Sequence, residues 1–168
     1  GLGLGIAFKK MVDNTAAQEQ AMAQLNTTLQ STEFAAGKTA DELTQAAGGL
    51  QKMTTFGDEA IIGMQSLLLT FKDIKGDNFD RTTVAVLDMA TAMKTDLKSA
   101  SIQLGKALND PAKNLSALTR SGIQFTDAQT DMIKEMQASG DVAGAQTIIL
   151  QELESQFGGS AKAARDTL

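Results

Sequence analysis

The stretch Thr82-Thr83-Val84-Ala85-Val86-Leu87-Asp88-Met89-Ala90-Thr91-Ala92-Met93 decides the fold class. It opens on the most strand-like β-branched cluster of the chain, Thr82-Thr83-Val84. A strand would continue by alternating apolar and polar residues. Instead Val86, Met89, Ala90 and Met93 fall on one helical stripe, which Leu97 continues. No other run alternates credibly, Pro occurs once, at Pro111, and helix formers dominate throughout. The expected fold is all-α: seven or more helices in a compact irregular bundle, joined by short turns. No internal repeat of fixed period is present.

Downstream of this stretch the punctuation is regular. A fifth helix carries Ile102 and Leu108 and ends near Asn109. Asp110-Pro111 is the cleanest boundary, because Asp is a favoured N-cap and Pro is tolerated at the first helical position. The short helix that follows holds Leu115 and Leu118, and Gly122 supplies a left-handed stop. Ile123-Gln124-Phe125 is an extended link, and Thr126 with Gln129 forms a capping box for a helix facing Ile133 and Met136 inward. Ser139-Gly140-Asp141 is a turn and a fresh cap for the last full helix, with Ala145, Ile149, Leu153 and Phe157 on its stripe. Gly158-Gly159-Ser160 closes it, and a further helix starts at Ala161.

Upstream, Lys75-Gly76-Asp77-Asn78 is a turn in which Asp77 or Asn78 caps the helix of the deciding stretch. Gly57 and Asp58 introduce a helix with Ala60, Met64, Leu67, Leu68, Phe71 and Ile74 on one face. Ile61, Ile62 and Leu69 widen that face, so this helix is expected to be the most buried element. Before it, Thr39 and Glu42 form a capping box for a helix with Leu43, Ala46, Ala47, Leu50 and Met53 as its buried stripe. Gly48-Gly49 within that helix marks either the close approach of another helix or a weak point.

The first helix is expected from about residue 3 to about residue 31. Leu4, Phe8, Met11, Thr15, Gln18, Met22, Leu25 and Leu29 alternate spacings of four and three, the a/d seam of a coiled coil. Two readings compete. The helix lies on its own domain, or it self-associates or continues a long rod, in which case the polar Thr15 and Gln18 set register. Ala35-Ala36-Gly37 ends the pattern. Three units follow: a long N-terminal helix over 1–36, a compact helical domain over 37–160, and the start of a truncated helix over 161–168.

Composition narrows the chemistry. The 168 residues suit one domain with a real core, and 42% hydrophobic with 21% charged residues excludes disorder as the default. There is no Cys and no His, which removes disulfides, thiolate metal sites and the usual general base. Trp and Tyr are absent too, so stacking platforms for bases or sugars are hard to build. A net charge of −5 disfavours a grip on DNA phosphates, and no specific nucleic-acid binding is expected. Gly1-Leu2-Gly3-Leu4-Gly5-Ile6-Ala7-Phe8 is apolar but far short of the roughly 20 residues a membrane span needs. With no Met at its start and no signal peptide, the chain reads as an internal piece of a longer protein.

Forced motifs fail on the residues. Asp73, Asp77 and Asp80 resemble a calcium loop, yet Lys75 occupies a ligand position and no Glu closes the site. The Gly1-x-Gly3-x-Gly5 pattern has no preceding strand to make it a dinucleotide fingerprint. Glu59, Glu135, Glu152 and Glu154 are the candidate catalytic carboxylates, and each falls on a predicted polar helix face, where a solvated charge is ordinary. No cofactor, metal or catalytic residue is expected.

Several runs nonetheless form a recognisable set. Thr54-Thr55-Phe56-Gly57-Asp58-Glu59-Ala60-Ile61-Ile62, Gln65-Ser66-Leu67-Leu68-Leu69-Thr70-Phe71, Ala85 to Met93, and above all Gln103-Leu104-Gly105-Lys106-Ala107-Leu108-Asn109-Asp110-Pro111 stand in order. Leu115-Ser116-Ala117-Leu118-Thr119-Arg120 with Gly122, Gln124-Phe125-Thr126-Asp127-Ala128-Gln129, Ser139-Gly140-Asp141, Ala145-Gln146 and Phe157-Gly158-Gly159 complete them. Together they resemble the tape measure proteins of long-tailed phages and prophages. The resemblance implies a structural virion protein in the lumen of the tail tube, present in the host cytoplasm during assembly. It also implies tail tube protein and tail assembly chaperones as partners, a length-setting role, and ejection with or ahead of the DNA. Two alternatives remain: a membrane-active module helping DNA cross the host envelope, suggested by the Gly1–Phe8 segment, and a cell-wall hydrolase segment. A ruler is best served by one continuous helix rising about 1.5 Å per residue. Strong caps and glycines interrupt this chain, so the region is expected to be a compact domain near one end of the tape.

Overall fold

In the computed structural model of the protein, backbone is described from Leu2 and side chains from Ala16, through to Leu168. Nine helices and no strand occur among the described residues: α1 (Leu2–Ser31), α2 (Ala40–Met53), α3 (Asp58–Leu69), α4 (Gly76–Met93), α5 (Leu97–Asn109), α6 (Pro111–Arg120), α7 (Asp127–Ala138), α8 (Val142–Phe157) and α9 (Ser160–Asp166). The chain is therefore all-helical.

The start signals act largely as their chemistry dictates. Thr39 Oγ1 accepts from the Glu42 amide at 3.1 Å while Glu42 Oε1 accepts from the Thr39 amide at 3.3 Å, a complete capping box on α2. The same reciprocal pair, Thr126 and Gln129, opens α7 at 3.1 and 2.8 Å. Asp141 Oδ1 accepts from the Gly144 amide at 2.9 Å and opens α8. Gly122 (φ +99°) ends α6 in the left-handed region, with the Ile123 amide donating back to the Leu118 carbonyl.

Four expectations need correction. First, neither Asp77 nor Asn78 caps α4. The helix begins at Gly76, and Asp77 lies in its first turn, where the helix dipole favours a negative charge. Asn78 is drawn elsewhere: its Nδ2 donates to the Ala143 carbonyl and to Gln146 Oε1, both on α8. Second, α1 ends at Ser31, where the pattern placed its end, but the stop is not made by Ala35-Ala36-Gly37. Glu33 (φ +54°) and Phe34 (φ +55°) already turn left-handed, and the Phe34 amide donates to the Leu29 carbonyl at 2.9 Å. Third, only Leu43 and Ala47 of the α2 stripe are buried; Leu50 is half-buried, and Ala46 and Met53 are exposed. Gly48 and Gly49 have no close neighbour, for a Cβ added at either would meet nothing within 4 Å. The close-approach reading of that pair fails. Fourth, α3 ends at Leu69, so Phe71 and Ile74 follow it in a turn, although Ile74 is fully buried. The face that α3 hides is rotated toward Ile61, Ile62, Gln65, Leu68 and Leu69, and Ala60 is left exposed.

The packing order is simple. α3 lies against α1, α2 and α5, and α4 lies against α8, α9, α5 and α3. The segment α5 to α8 then folds as a succession of neighbouring helices. One apolar core runs through all of it, with Phe79, Leu68, Leu104, Leu108, Leu118, Ile133 and Ile149 wholly buried. Each such side chain contributes about 1.5–3 kcal/mol relative to exposure. The core does not stop at the expected unit boundaries. It takes Leu25, Leu29 and Ala36 from upstream of residue 37 and Ala161 from downstream of residue 160.

Candidate functional site

The residues singled out for association are the seam on α1. Leu4, Phe8, Met11 and Thr15 lie outside the residues whose side chains are described. The other four mark a parallel contact with α3. Gln18 Nε2 donates to Asp58 Oδ2 at 3.2 Å, which puts the first residue of α3 level with Gln18. Met22 packs partly buried, and Leu25 and Leu29 are buried to 0% and 1% exposure. From Met22 onward the seam is thus closed within the molecule.

Along the outer edge of this contact runs a groove of about 620 Å³ between α1, α3 and the start of α5. Met64 and Leu67 make its apolar floor, and Gln24, Thr28 and Lys98 its polar rim. The rim is already self-satisfied in part: Thr28 Oγ1 donates to the Gln24 carbonyl, and Gln24 Nε2 donates to Thr28 Oγ1. Among the described residues no carboxylate lines it.

The candidate acids are scattered. Glu59 and Glu135 are exposed on different helices. Glu154 is held by Arg81, whose Nε donates at 2.9 Å and Nη2 at 3.0 Å, and this bonding raises the Arg81 pKa. Glu152 accepts from Gln156 Nε2 and Gln129 Nε2, and these amides hold its carboxyl below the usual value, Gln156 contributing most. A general acid needs the opposite displacement. Asp80 is paired with Lys38 at 2.7 Å, and the Asp73 carbonyl accepts from Gln146. No group of three or more acidic residues that could hold a metal ion occurs among the described residues.

What the structure does assemble is a corner around the run Gln103 to Pro111. Leu104, Ala107 and Leu108 enter the core. Gly105 faces the Phe71 ring so closely that an added Cβ would overlap it. Asn109 Oδ1 accepts from the Asp73 amide at 3.0 Å, which fastens the α3–α4 turn to the end of α5. Asp110 Oδ1 accepts from Gln137 Nε2, while Gln137 Oε1 accepts from the Ala112 amide, tying α7 to the start of α6. Gln103 Nε2 donates to the Ala117 carbonyl and the Ser121 hydroxyl at the far end of α6. At the centre sits Gln146, 1% exposed, donating to the carbonyls of Asp73 (2.8 Å) and Leu108 (2.9 Å) and accepting from Asn78.

Sequence reasoning missed Gln146, Gln137 and Asn78 as organising groups. The one signal was a polar residue beside the apolar stripe of α8, next to Ala145. It also missed Asp88. This carboxylate, 6% exposed in the middle of α4, accepts from the Gly159 and Ala161 amides at 3.2 and 2.9 Å and caps α9 from another helix. Among the described residues no helix is long and apolar enough to cross a membrane. Set against known proteins, the chain matches no family model, no curated protein and no solved structure.

Proposed function

We propose that this chain is part of a tape measure protein of a long-tailed phage or prophage. In that reading it is a non-enzymatic virion component that takes part in tail assembly and leaves the tube with or ahead of the DNA. The observation that carries the reading is the run Leu104 to Pro111 together with its companion stretches. Every polar or glycine position just described in it serves packing, a turn or an interhelical hydrogen bond. A family defined by a fold, with no reaction to conserve, would repeat such residues.

The compact, capped helices favour an end domain over a ruler, since a ruler needs a uniform rise per residue. The seam on α1 is then the link into the rod. Its downstream half is anchored on α3, and its upstream half, Leu4 to Thr15, continues into a long helix or pairs with another copy. Tail tube protein and tail assembly chaperones are the partners of this reading.

In-frame deletion of residues 37–159 from the parent gene tests it, with tail length measured by electron microscopy. The expected result is tails that assemble poorly or are non-infectious, without a proportional change in length. Strictly proportional shortening with full infectivity makes the region ordinary ruler. Normal tails and infectivity in a strain lacking the whole gene would end the reading.

A further inference from the structure

α9 is attached to the body in an unusual way. Of its residues only Ala161 is fully buried. Its N-terminal amides are capped by Asp88, and Arg165 Nη1 donates to the Thr54 carbonyl at 3.1 Å, beside the end of α2. A cleft of about 190 Å³, walled by Leu50, Met53, Val84 and Lys162 among others, stays open between α9 and the α2–α4 surface. Met53 and Val84 are 48% and 45% exposed there.

The seat is more demanding than its occupant. If α9 leaves, Asp88 loses both amide donors, and no cation pairs with it among the described residues. Two charge-assisted hydrogen bonds to backbone amides are lost with α9. The seat therefore needs a helix start with free amides, a small side chain at the position of Ala161 and an arginine able to reach Thr54. α9 itself meets all three requirements.

Only Gly158 and Gly159 separate α8 from α9. The folded-back corner depends on both being glycine. A Cβ on Gly158 would overlap the Glu154 carbonyl oxygen, and Gly159 sits at φ +83°. In an open form both residues can turn helical and join α8 and α9 into one helix over residues 142–166. α9 then points away from its own seat and can reach only that of another molecule.

We propose that α9 is an exchangeable element, and that the Asp88 seat between α2 and α4 binds the α9 of a second copy of this chain, giving a domain-swapped dimer. Exchange of an identical element needs no new interface, and short hinges under constraint promote it.

The hinge glycines give the test its direction. Gly158→Ala with Gly159→Ala strains the folded-back corner and favours the continuous helix, so dimer on light scattering should rise by more than about tenfold over wild type. The chain has no Cys, which permits a clean cross-link. Copies carrying Val84→Cys and copies carrying Lys162→Cys, unfolded together and refolded in the double-alanine background, should be joined by a bis-maleimide that spans the cleft. Asp88→Ala in the same background should abolish both dimer and cross-link. The proposal is overturned if the double-alanine chain stays monomeric, if its dimer survives Asp88→Ala, or if no Val84–Lys162 link forms. If the double-alanine chain shows no native helix content, the wild-type hinge is used with the same cysteine pair at high concentration. A minor cross-linked fraction is then expected, and its complete absence overturns the proposal.

Discussion

The corner where α5, α6 and α8 meet and the edge where α2 meets α9 use the same residue types and hold in different ways. At the corner, side-chain amides bridge separate segments, Gln146 buried and Gln103, Gln137 and Asn78 half-buried: Gln146 alone joins α8 to the Asp73 turn, to the end of α5 and to α4. At the edge, polar groups act as caps, Asp88 on α9 and Thr39 on α2, while apolar side chains such as Met53 stay half in solvent. A cap fixes one helix end. A bridging amide fixes the relative position of several elements, and its loss strands several backbone groups at once. The corner should therefore unfold with the whole molecule and the edge should open alone.

Gln146→Leu is the hardest blow to that contrast. It leaves the carbonyls of Asp73 and Leu108 without their donor and takes from the Asn78 amide one of its two acceptors. At about 1–3 kcal/mol for each stranded group, partly relieved by water, the expected loss is roughly 3 kcal/mol of global stability. Urea denaturation measures it. A loss under about 1 kcal/mol would show that the corner is no more essential than the edge.

Gly105→Ala comes next. The new methyl must displace the Phe71 ring, which is packed against the core, so a cost of about 1–3 kcal/mol is expected from overpacking. Phe71→Leu in the same chain should restore part of the loss, because a smaller side chain vacates the space. Absence of any rescue would mean that Gly105 serves something other than the ring.

The edge predicts the reverse sign. Gly48→Ala and Gly49→Ala meet no neighbour within 4 Å and remove chain freedom from the unfolded state. Each should stabilise by about 0.5–1 kcal/mol, and amide exchange in α2 should slow. Destabilisation by either would point to a contact that the α2 surface makes with another molecule.

The same contrast sets what could be read in advance. Fold class and most helix starts are local properties: Thr39 with Glu42 and Thr126 with Gln129 need only four residues of context, and both boxes form. The place where α1 ends was legible, but not the turn that ends it, because Glu33 and Phe34 adopt positive φ without being glycine. Nor was the role of Asn78 legible. As a free peptide it would cap α4, but α8 offers it two acceptors 65 and 68 residues away. The bridging amides of the corner look like ordinary polar residues in any short window. On the association seam, burial of Leu25 and Leu29 followed from spacing, whereas the partner that buries them, α3, was one of two readings left open.

The smallest effect is one of pH, and it concerns two carboxylates away from the edge, at the start of α5 and on α8. Asp96 accepts from the Ser99 amide at 2.7 Å at the start of α5, and its carboxyl is held below the ordinary value chiefly by that backbone donor, with help from the Ser99 hydroxyl. Glu152 on α8 is depressed by Gln156 and then Gln129. For both groups the folded state binds a proton less readily than the unfolded chain. Their stabilisation is therefore present above the unfolded carboxylate range, about pH 4, and is lost as pH falls through the lower folded values. Both groups are solvent-accessible, so screening keeps the contribution small. Thermal midpoints taken from about pH 6 downward should fall less steeply below about pH 4 in Asp96→Asn and Glu152→Gln than in wild type. Glu152→Gln should also loosen the join between α7 and α8, because Gln129 loses its charged acceptor there while keeping its place in the α7 capping box. An unchanged acid slope in both variants would mean that neither carboxylate adds measurable stability, and that the caps which hold the edge do not act alike at the start of α5.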